Sequence, residues 1–212
     1  MRRTARSLLA SLAVAATLAG TPAWAADPSA PPDAKPDAPP PQARQPEPAP
    51  KTPAEERADL YARLAASKDA DETAGIIGRL LHAYAESGSD TGDLLLHRAR
   101  QAIGIERYSD ALAILDQTIA LLPDWAEGWN ARATARYLDD DYKGSMADIA
   151  QTLKREPKHL GALMGMATIL EAREKREEAL KIYQRVLEIA PHWRNAQEAA
   201  DKLKAALAGS EL

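Results

Sequence analysis

Three prolines recur at equal intervals in the last three quarters of this 212-residue chain. Between residues 54 and 212 the only prolines are Pro123, Pro157 and Pro191, which are equally spaced. Proline inside a helix removes a hydrogen bond and clashes with the preceding turn, so a helical chain tolerates it mainly at junctions. Their 34-residue period is typical of a helix, a turn, a second helix and a second turn. The spacing therefore predicts three equal helix pairs.

Equivalent positions before these prolines repeat the same chemical character. Small residues occupy two such positions in every unit: Ala99, Ala133 and Ala167 at the first, and Ala111, Ser145 and Ala179 at the second. Large apolar residues recur at helical spacing around them, and small residues mark places where two helix axes approach closely. The pattern predicts six helices, over residues 92–104, 109–121, 126–138, 143–155, 160–173 and 176–189.

This pattern resembles the tetratricopeptide repeat (TPR) family, whose unit is a 34-residue antiparallel helix pair. The resemblance extends over residues 92–193 and is carried by the small residues, by Tyr108 and Tyr142, and by the closing prolines. Three positions depart from the family pattern: Arg136, Ser145 and Arg176. The resemblance implies an all-α fold, a TPR-type α-solenoid with repeats at 92–125, 126–159 and 160–193.

Helices are also predicted on both sides of the repeats. Thr52, a following proline and Glu55 are typical of a helix start, and apolar residues at helical spacing continue to about Gly88. We therefore expect residues 54–91 to form a divergent N-terminal helix pair that packs on the first repeat. Residues 194–212 carry a stripe of alanine and leucine, which predicts a capping helix and tail. Such a helix covers the apolar surface that the last unit of an open stack would expose.

Residues 1–25 have the layout of a secretory signal peptide. Three arginines precede an uncharged run rich in alanine and leucine, and Ala23 and Ala25 supply the small residues that a signal peptidase reads. Cleavage is expected after Ala25, which predicts a bacterial-type protein that is periplasmic or otherwise exported, soluble and without a membrane span. Two alternatives remain, an uncleaved membrane anchor and twin-arginine export through Arg2 and Arg3.

Residues 26–53 are predicted to be a disordered, proline-rich linker. From Asp27 to Pro53 eleven positions are proline, and no apolar periodicity is present. Such a segment cannot bury enough apolar surface to fold and is expected to be extended. A ligand for aromatic grooves is the alternative function of a proline-rich stretch.

Charge and composition narrow the function classes. Residues 54–212 contain 21 Lys and Arg against 27 Asp and Glu. Phosphate-backbone binding needs clustered cations, so nucleic acid is not expected as a partner. The chain has no cysteine, which excludes disulfides, thiolate metal sites and cysteine nucleophiles. No phosphate-binding or hydrolase motif occurs, so neither a catalytic residue nor a metal or cofactor is predicted.

Several residues that could bind a metal or a ligand are expected instead to have structural roles. His159 and His192 follow successive prolines and are expected to be exposed turn histidines, with a metal site shared between them as the alternative. The three aspartates at 139–141 are expected to form a solvated turn. The remaining interpretations are helix capping by Asp124 and Glu127, close packing at Gly161 and Gly165, a core position for Trp129, and wedging of Trp125 and Trp193 between units.

The concave face is the predicted binding surface. In the TPR family the first helix of each pair lines this face, and the resemblance places these residues in the groove: Leu96, Arg100, Asn130, Thr134, Tyr137, Met164 and Thr168. Ile103 and Glu171 occupy further matching positions. Their mixture of one cation, amide and hydroxyl groups, an aromatic ring and a methionine suits an extended peptide or a partner helix. It differs from the Lys and Asn carboxylate clamp of some family members.

These observations predict a non-catalytic adaptor or assembly factor of the cell envelope that binds another protein or a peptide. Two alternatives remain. One is a scaffold that self-associates through its end helices. The other is an envelope-polymer hydrolase with paired carboxylates, although no pair differs from ordinary surface acids.

Overall fold

The computed structural model describes residues 51–209, which contain nine α-helices and no β-strand. The helices are α1 (Pro53–Ala66), α2 (Ala70–Ala85), α3 (Asp90–Gly104), α4 (Tyr108–Leu121), α5 (Ala126–Leu138), α6 (Tyr142–Arg155), α7 (Leu160–Ala172), α8 (Arg176–Ile189) and α9 (Arg194–Gly209). The predicted signal peptide and most of the predicted linker lie outside the described residues, so both stay predictions.

Three helix pairs, α3–α4, α5–α6 and α7–α8, repeat with the predicted period. All six helices begin and end within two residues of the predicted bounds. The turn inside each pair has one residue in the left-handed region: Glu106, Asp140 and Glu174, with φ of 59°, 61° and 60°. The next residue closes the turn; in the first pair the N–H of Arg107 donates to the Ala102 carbonyl at 2.9 Å. The same turn therefore joins the two helices of every repeat.

Small residues lie where the paired helices cross. The six repeated small residues, Ala99, Ala133, Ala167, Ala111, Ser145 and Ala179, are all buried. Ser145 is accommodated because its hydroxyl donates to the Ala133 carbonyl at 2.7 Å. Trp125 and Trp193 pack against buried clusters, as their predicted wedging requires. The predicted solenoid of three helix pairs is confirmed, and α9 covers the end of the third pair.

The N-terminal pair α1–α2 forms as predicted but packs in a different place. Thr52 and Glu55 make the expected capping box at the start of α1. Apolar residues of α1 and α2 share one buried cluster with α7, α8 and α9, which includes Leu60, Leu64, Leu80, Leu160 and Leu163. The expectation that this pair packs on the first repeat is therefore wrong for most of its apolar surface, which lies against the third repeat, while Ala85 at the end of α2 contacts the cluster of the first. Neither helix carries the repeat pattern that would predict its place in the stack.

Tyr84 fixes the C-terminal end of α2 against the N-terminal ends of α5 and α7. Its hydroxyl is hydrogen-bonded to the Tyr61 hydroxyl at 2.6 Å, and its carbonyl accepts the indole N–H of Trp125 at 2.9 Å. Arg57 of α1 forms an ion pair with Glu156 at 3.2 Å. Burial raises the pKa of both Tyr61 and Tyr84 above the usual value of about 10. Both phenols therefore stay protonated and able to donate at neutral pH.

His159 is completely buried, which contradicts the exposed turn expected for it. Its ring stacks on the ring of Tyr84 with 4.0 Å between centroids. Its Nδ1 accepts the backbone N–H of Ala162 at 3.2 Å and so caps α7. A neutral imidazole that accepts at Nδ1 carries its hydrogen at Nε2, and Nε2 lies 3.0 Å from Oε2 of Glu127, to which it donates. Tyr84 covers this turn, whereas His192 is exposed as expected.

Trp129 is half-buried and lies outside the buried clusters, so the core position predicted for it is wrong. Its indole N–H donates to the Pro123 carbonyl at 2.9 Å. The guanidinium groups of Arg132 and Arg155 lie 4.9 and 4.7 Å from its ring centroid, within cation–π distance. The indole therefore stays near the surface, where its N–H and its ring face both find polar partners.

Replacing Leu80 by alanine tests the docking of α2. Leu80 is fully buried in the cluster shared with the third repeat, so Leu80→Ala should lower the free energy of unfolding by about 2–5 kcal/mol. Leu81→Ala is the matched control, because Leu81 is 46% exposed and its truncation should change that free energy by no more than about 0.5 kcal/mol. Urea unfolding followed by circular dichroism measures both, and equal effects at the two positions would contradict the docking.

Replacing Glu127 by alanine tests the buried hydrogen bond to His159. Glu127 is 5% exposed, and its truncation leaves the imidazole N–H without an acceptor, which should cost about 1–3 kcal/mol in the free energy of unfolding. Glu86→Ala is the control, because Glu86 pairs with His82 at the surface and its loss should cost no more than about 0.5 kcal/mol. If the same urea titration finds Glu127→Ala as stable as the unchanged protein, this bond does not hold the helices together.

Candidate functional site

The first helices of the repeats, α3, α5 and α7, carry the predicted groove residues. Arg100 and Thr134 are exposed, and Asn130, Tyr137, Met164 and Thr168 are partly exposed. Five of these six line two adjoining clefts, while Met164 packs beside the cluster that α2 shares with α7. All six are accessible to a ligand, and their role in binding stays a prediction.

Leu96 is not part of this surface. Its side chain is 2% exposed and belongs to a buried cluster with Ala99 and Leu115. Ala85 of α2 and Trp125 pack against the same cluster. The assignment of Leu96 to the binding groove is therefore wrong, because its large apolar side chain is removed from water in the core.

The first cleft lies between α5 and α7 (the α5–α7 cleft) and has a volume of about 160 Å³. Its walls include Asn130, Thr134 and Tyr137 of α5 and Gly161, Gly165 and Thr168 of α7. Ser145 and Ile149 of α6 reach its base. No charged side chain lines this cleft, so it offers a ligand small, apolar and hydroxyl-bearing groups.

The second cleft lies between α2, α3 and α5 (the α2–α3 cleft) and has a volume of about 540 Å³. It is lined by Leu81, His82 and Ala85 of α2, by Arg100 and Ile103 of α3, and by Glu127, Asn130, Ala131 and Thr134 of α5. Asn130 and Thr134 line both clefts, which makes the two continuous along α5. The α2 residues were not among the predicted groove residues. Because α2 lacks the repeat pattern, the 34-residue period could not place it beside α3 and α5.

Arg100, the cation predicted for the groove, is paired with a buried carboxylate. Its Nη2 lies 2.6 Å from Oε1 of Glu127, and Nδ2 of Asn130 donates to Oε2 of the same residue at 3.1 Å. Glu127 was expected to cap α5 together with Asp124, but the N-cap is Trp125 and makes no side-chain capping hydrogen bond. The charge of Arg100 is balanced inside the protein, so Arg100 is not a free cation for an acidic ligand.

Asp148 is the second buried carboxylate among the described residues and holds two arginines of α5. Arg132 donates to it from Nε and Nη2 at 2.9 and 2.7 Å, and Arg136 lies 3.0 Å away. These hydrogen bonds to Asp148 raise the pKa of Arg132 above its usual value. Arg136 departs from the family pattern and contributes to this ion-pair network. Glu127 and Asp148 share no hydrogen-bond partner among the described residues, and each pairs with arginine.

Glu171 lies near the C-terminal end of α7, at the far end of the predicted groove. Its Oε1 accepts the hydroxyl hydrogen of Tyr183 at 2.6 Å. Burial, reinforced by this hydrogen bond, raises the pKa of Tyr183 to about 12. The carboxylate is thus held by the third repeat through a phenol that stays protonated at neutral pH.

Residues 51–209 contain no group of three or more histidine, aspartate or glutamate side chains that could hold a metal ion. His159 and His192 do not form a shared site, because one is buried against Glu127 and the other is exposed. In the same part of the chain, every buried side-chain nitrogen or oxygen atom has a hydrogen-bond partner. The described helices include none that is long and apolar enough to cross a membrane.

Sequence and fold are similar to those of known TPR proteins. No family model matches the sequence. A TPR repeat-containing protein of Rhizobium etli is 40% identical over 162 residues, which cover 76% of this chain and 79% of that protein. The first TPR of Spaghetti (RPAP3), solved with the HSP90 peptide SRMEEVD, matches 57% of this chain and 95% of its own with a TM-score of 0.53 and 22% identity. The Sgt2 TPR domain from Aspergillus fumigatus matches 58% of this chain and 83% of its own with a TM-score of 0.54 and 15% identity.

The two solved structures share less than a quarter of their residues with this chain and support the fold alone. The Rhizobium etli relative is similar over most of both chains. The relative's name, a TPR repeat-containing protein, agrees with the three repeated helix pairs of this chain and with their buried small residues. This chain therefore belongs to the TPR repeat family.

Proposed function

We propose that this protein is an exported, non-catalytic adaptor or assembly factor that binds an extended segment of another protein along its concave face. The observation that carries the proposal is the pair of adjoining clefts, which meet at Asn130 and Thr134 of α5. Together they form a continuous track beside the exposed side of α5. A concave track that offers both apolar and polar groups suits a bound peptide.

The bound peptide in a structural neighbour supports the same kind of role. The first TPR of Spaghetti was solved with the HSP90 peptide SRMEEVD, which is rich in acidic residues. In this protein Arg100 is already paired with Glu127, and no charged side chain lines the α5–α7 cleft. We therefore expect a ligand that is less acidic than the HSP90 peptide.

Export is the part of the proposal that rests on sequence alone. Residues 1–25 carry the arginines, the apolar run and the small residues of a secretory signal, and the proline-rich segment follows them. An exported protein of this kind would meet its partner in the cell envelope. Detection of a mature chain that begins at Ala26 in the periplasmic fraction would support this part, and an intact N-terminus in the cytoplasm would contradict it.

Replacing Thr134 by arginine tests binding along the track. Thr134 is exposed and lines both clefts, so the long side chain should block a ligand without disturbing the core. Crosslinking in native envelopes, followed by quantitative mass spectrometry, measures the captured partners. Thr134→Arg should reduce the capture of a groove-bound partner by about tenfold or more, as expected for a central interface position.

Gln184→Arg is the matched control for this experiment. Gln184 is exposed on α8, a second helix of its repeat, and it lines neither cleft. The control should retain full capture, and circular dichroism should show both variants folded. Capture that is undiminished by Thr134→Arg would contradict binding along the concave face.

Self-association is a second candidate, and the exposed apolar side chains favour it. Five large apolar residues are exposed among those described, and three of them lie in the first repeat: Leu94, Ile105 and Leu121. Side chains of this kind pack at the interfaces of homodimers. A solution mass that rises with protein concentration, and stays monomeric in Leu94→Glu, would support this candidate. A monomeric mass at all concentrations would exclude it.

A further inference from the structure

Two glycines of α7 form one wall of the α5–α7 cleft. The repeat period places Gly161 and Gly165 at the positions of Glu127 and Ala131 in α5. In α3 the same positions hold an aspartate and a histidine. Of the three first helices, α7 alone lacks side chains at this place. The recess in the concave face lies beside these two glycines.

Packing does not require glycine at either position. A Cβ atom at Gly161 would lie 3.4 Å from Cε1 of His159, and one at Gly165 would lie 3.7 Å from Cδ1 of Ile149, which are ordinary van der Waals contacts. By contrast, a Cβ atom at Gly92 would clash with Leu122. Close packing, the expected reason for Gly161 and Gly165, is therefore wrong. Because glycine inside a helix is less stable than alanine, the two residues carry a stability cost that packing does not explain.

The recess has the size of one large side chain. Its volume of about 160 Å³ is close to that of a cavity of about 150 Å³ that holds benzene in another protein. One leucine, isoleucine, methionine or phenylalanine side chain therefore fills it. Side chains at 161 and 165 would project into this volume and reduce it.

The hydroxyl groups of the threonine and serine residues that line the cleft are already used within the protein. Those of Thr134, Thr168 and Ser145 donate to backbone carbonyls at 3.1, 3.0 and 2.7 Å. No charged side chain lines the recess to pair with an incoming charge. A charged side chain that entered it would lose its hydration without an opposite charge to pair with, whereas an apolar one would gain from leaving water.

We infer that the α5–α7 cleft is a specificity pocket for one large aliphatic or aromatic side chain of a partner protein. The inference deepens the proposed function and rests on it. The pocket favours this occupant because its lining is uncharged and its volume matches that of one large side chain. Gly161 and Gly165 keep the pocket open at the expense of helix stability.

Capped amino acids test the pocket directly. N-acetyl-leucinamide and N-acetyl-aspartamide present side chains of similar size, one apolar and one charged. Each is titrated into the ¹⁵N-labelled protein, and amide shifts of residues 133, 165 and 168 are followed by NMR. The leucine compound should shift these amides and bind at least about tenfold more tightly than the aspartate compound.

Substitutions at Gly165 separate binding from stability. Gly165→Leu should abolish the shifts, because its side chain occupies the recess. Gly165→Ala should weaken leucine binding by about threefold to fivefold through the loss of space for one methyl group. It should also raise the thermal midpoint by about 2–4 °C, because alanine favours the helix.

Gly78→Ala is the matched control for Gly165→Ala. Gly78 lies in the interior of α2, is exposed, and a Cβ atom there would meet nothing within 4 Å. It should raise the thermal midpoint by a similar amount and leave leucine binding unchanged. Any of three results would overturn the pocket: no shift with the leucine compound, shifts that persist in Gly165→Leu, or equal binding of the two compounds.

The pocket and the proposed function can fail separately. If the leucine compound leaves the recess unperturbed while partner capture still depends on Thr134, the pocket is overturned and the proposed function stands. If capture does not depend on Thr134, the proposed function fails, and the pocket for a partner side chain fails with it.

Discussion

The buried carboxylate of Glu127 is the interaction on which the shape of the concave face depends. It accepts from Arg100 of α3, from Asn130 of its own helix, and from the His159 ring that caps α7. The same ring stacks on Tyr84 of α2. One buried carboxyl group therefore links four helices. A buried charge without its partners is costly, so these helices cannot separate without a large loss of stability.

This constraint makes the N-terminal helix pair part of the candidate binding surface. Docked at the ends of α5 and α7, α2 turns Leu81, His82 and Ala85 towards α3 and α5 and forms a wall of the α2–α3 cleft. The concave face is thereby divided into a larger cleft with polar and charged walls and a smaller uncharged recess. A ligand that lies along α5 would meet both, which combines polar contacts with a site for one apolar side chain.

The repeat architecture could be predicted from the sequence because its signals are local. Helical spacing, prolines at junctions and small residues at crossings act within each repeat unit, and they predict all six helices to within two residues at each end. The docking of α1 and α2 could not be predicted. These two helices lack the repeat pattern, so the 34-residue period does not show which repeat they contact. The burial of His159 and Leu96 follows partly from that docking, since both lie beside residues of α2. Gly161 and Gly165 were visible in the sequence, but only the distances around them show that packing does not need glycine.

Native-state hydrogen exchange is the most direct test of the central claim that α2 and the third repeat form one cooperative body around the concave face. The relevant amides are those at the centres of α2 and α7, near Leu80 and Leu163, which belong to one buried cluster. Cooperative units open with a common free energy. The account predicts the same opening free energy for both sets of amides, within about 1 kcal/mol. Amides of α2 that exchange at nearly unprotected rates while those of α7 stay protected would contradict it.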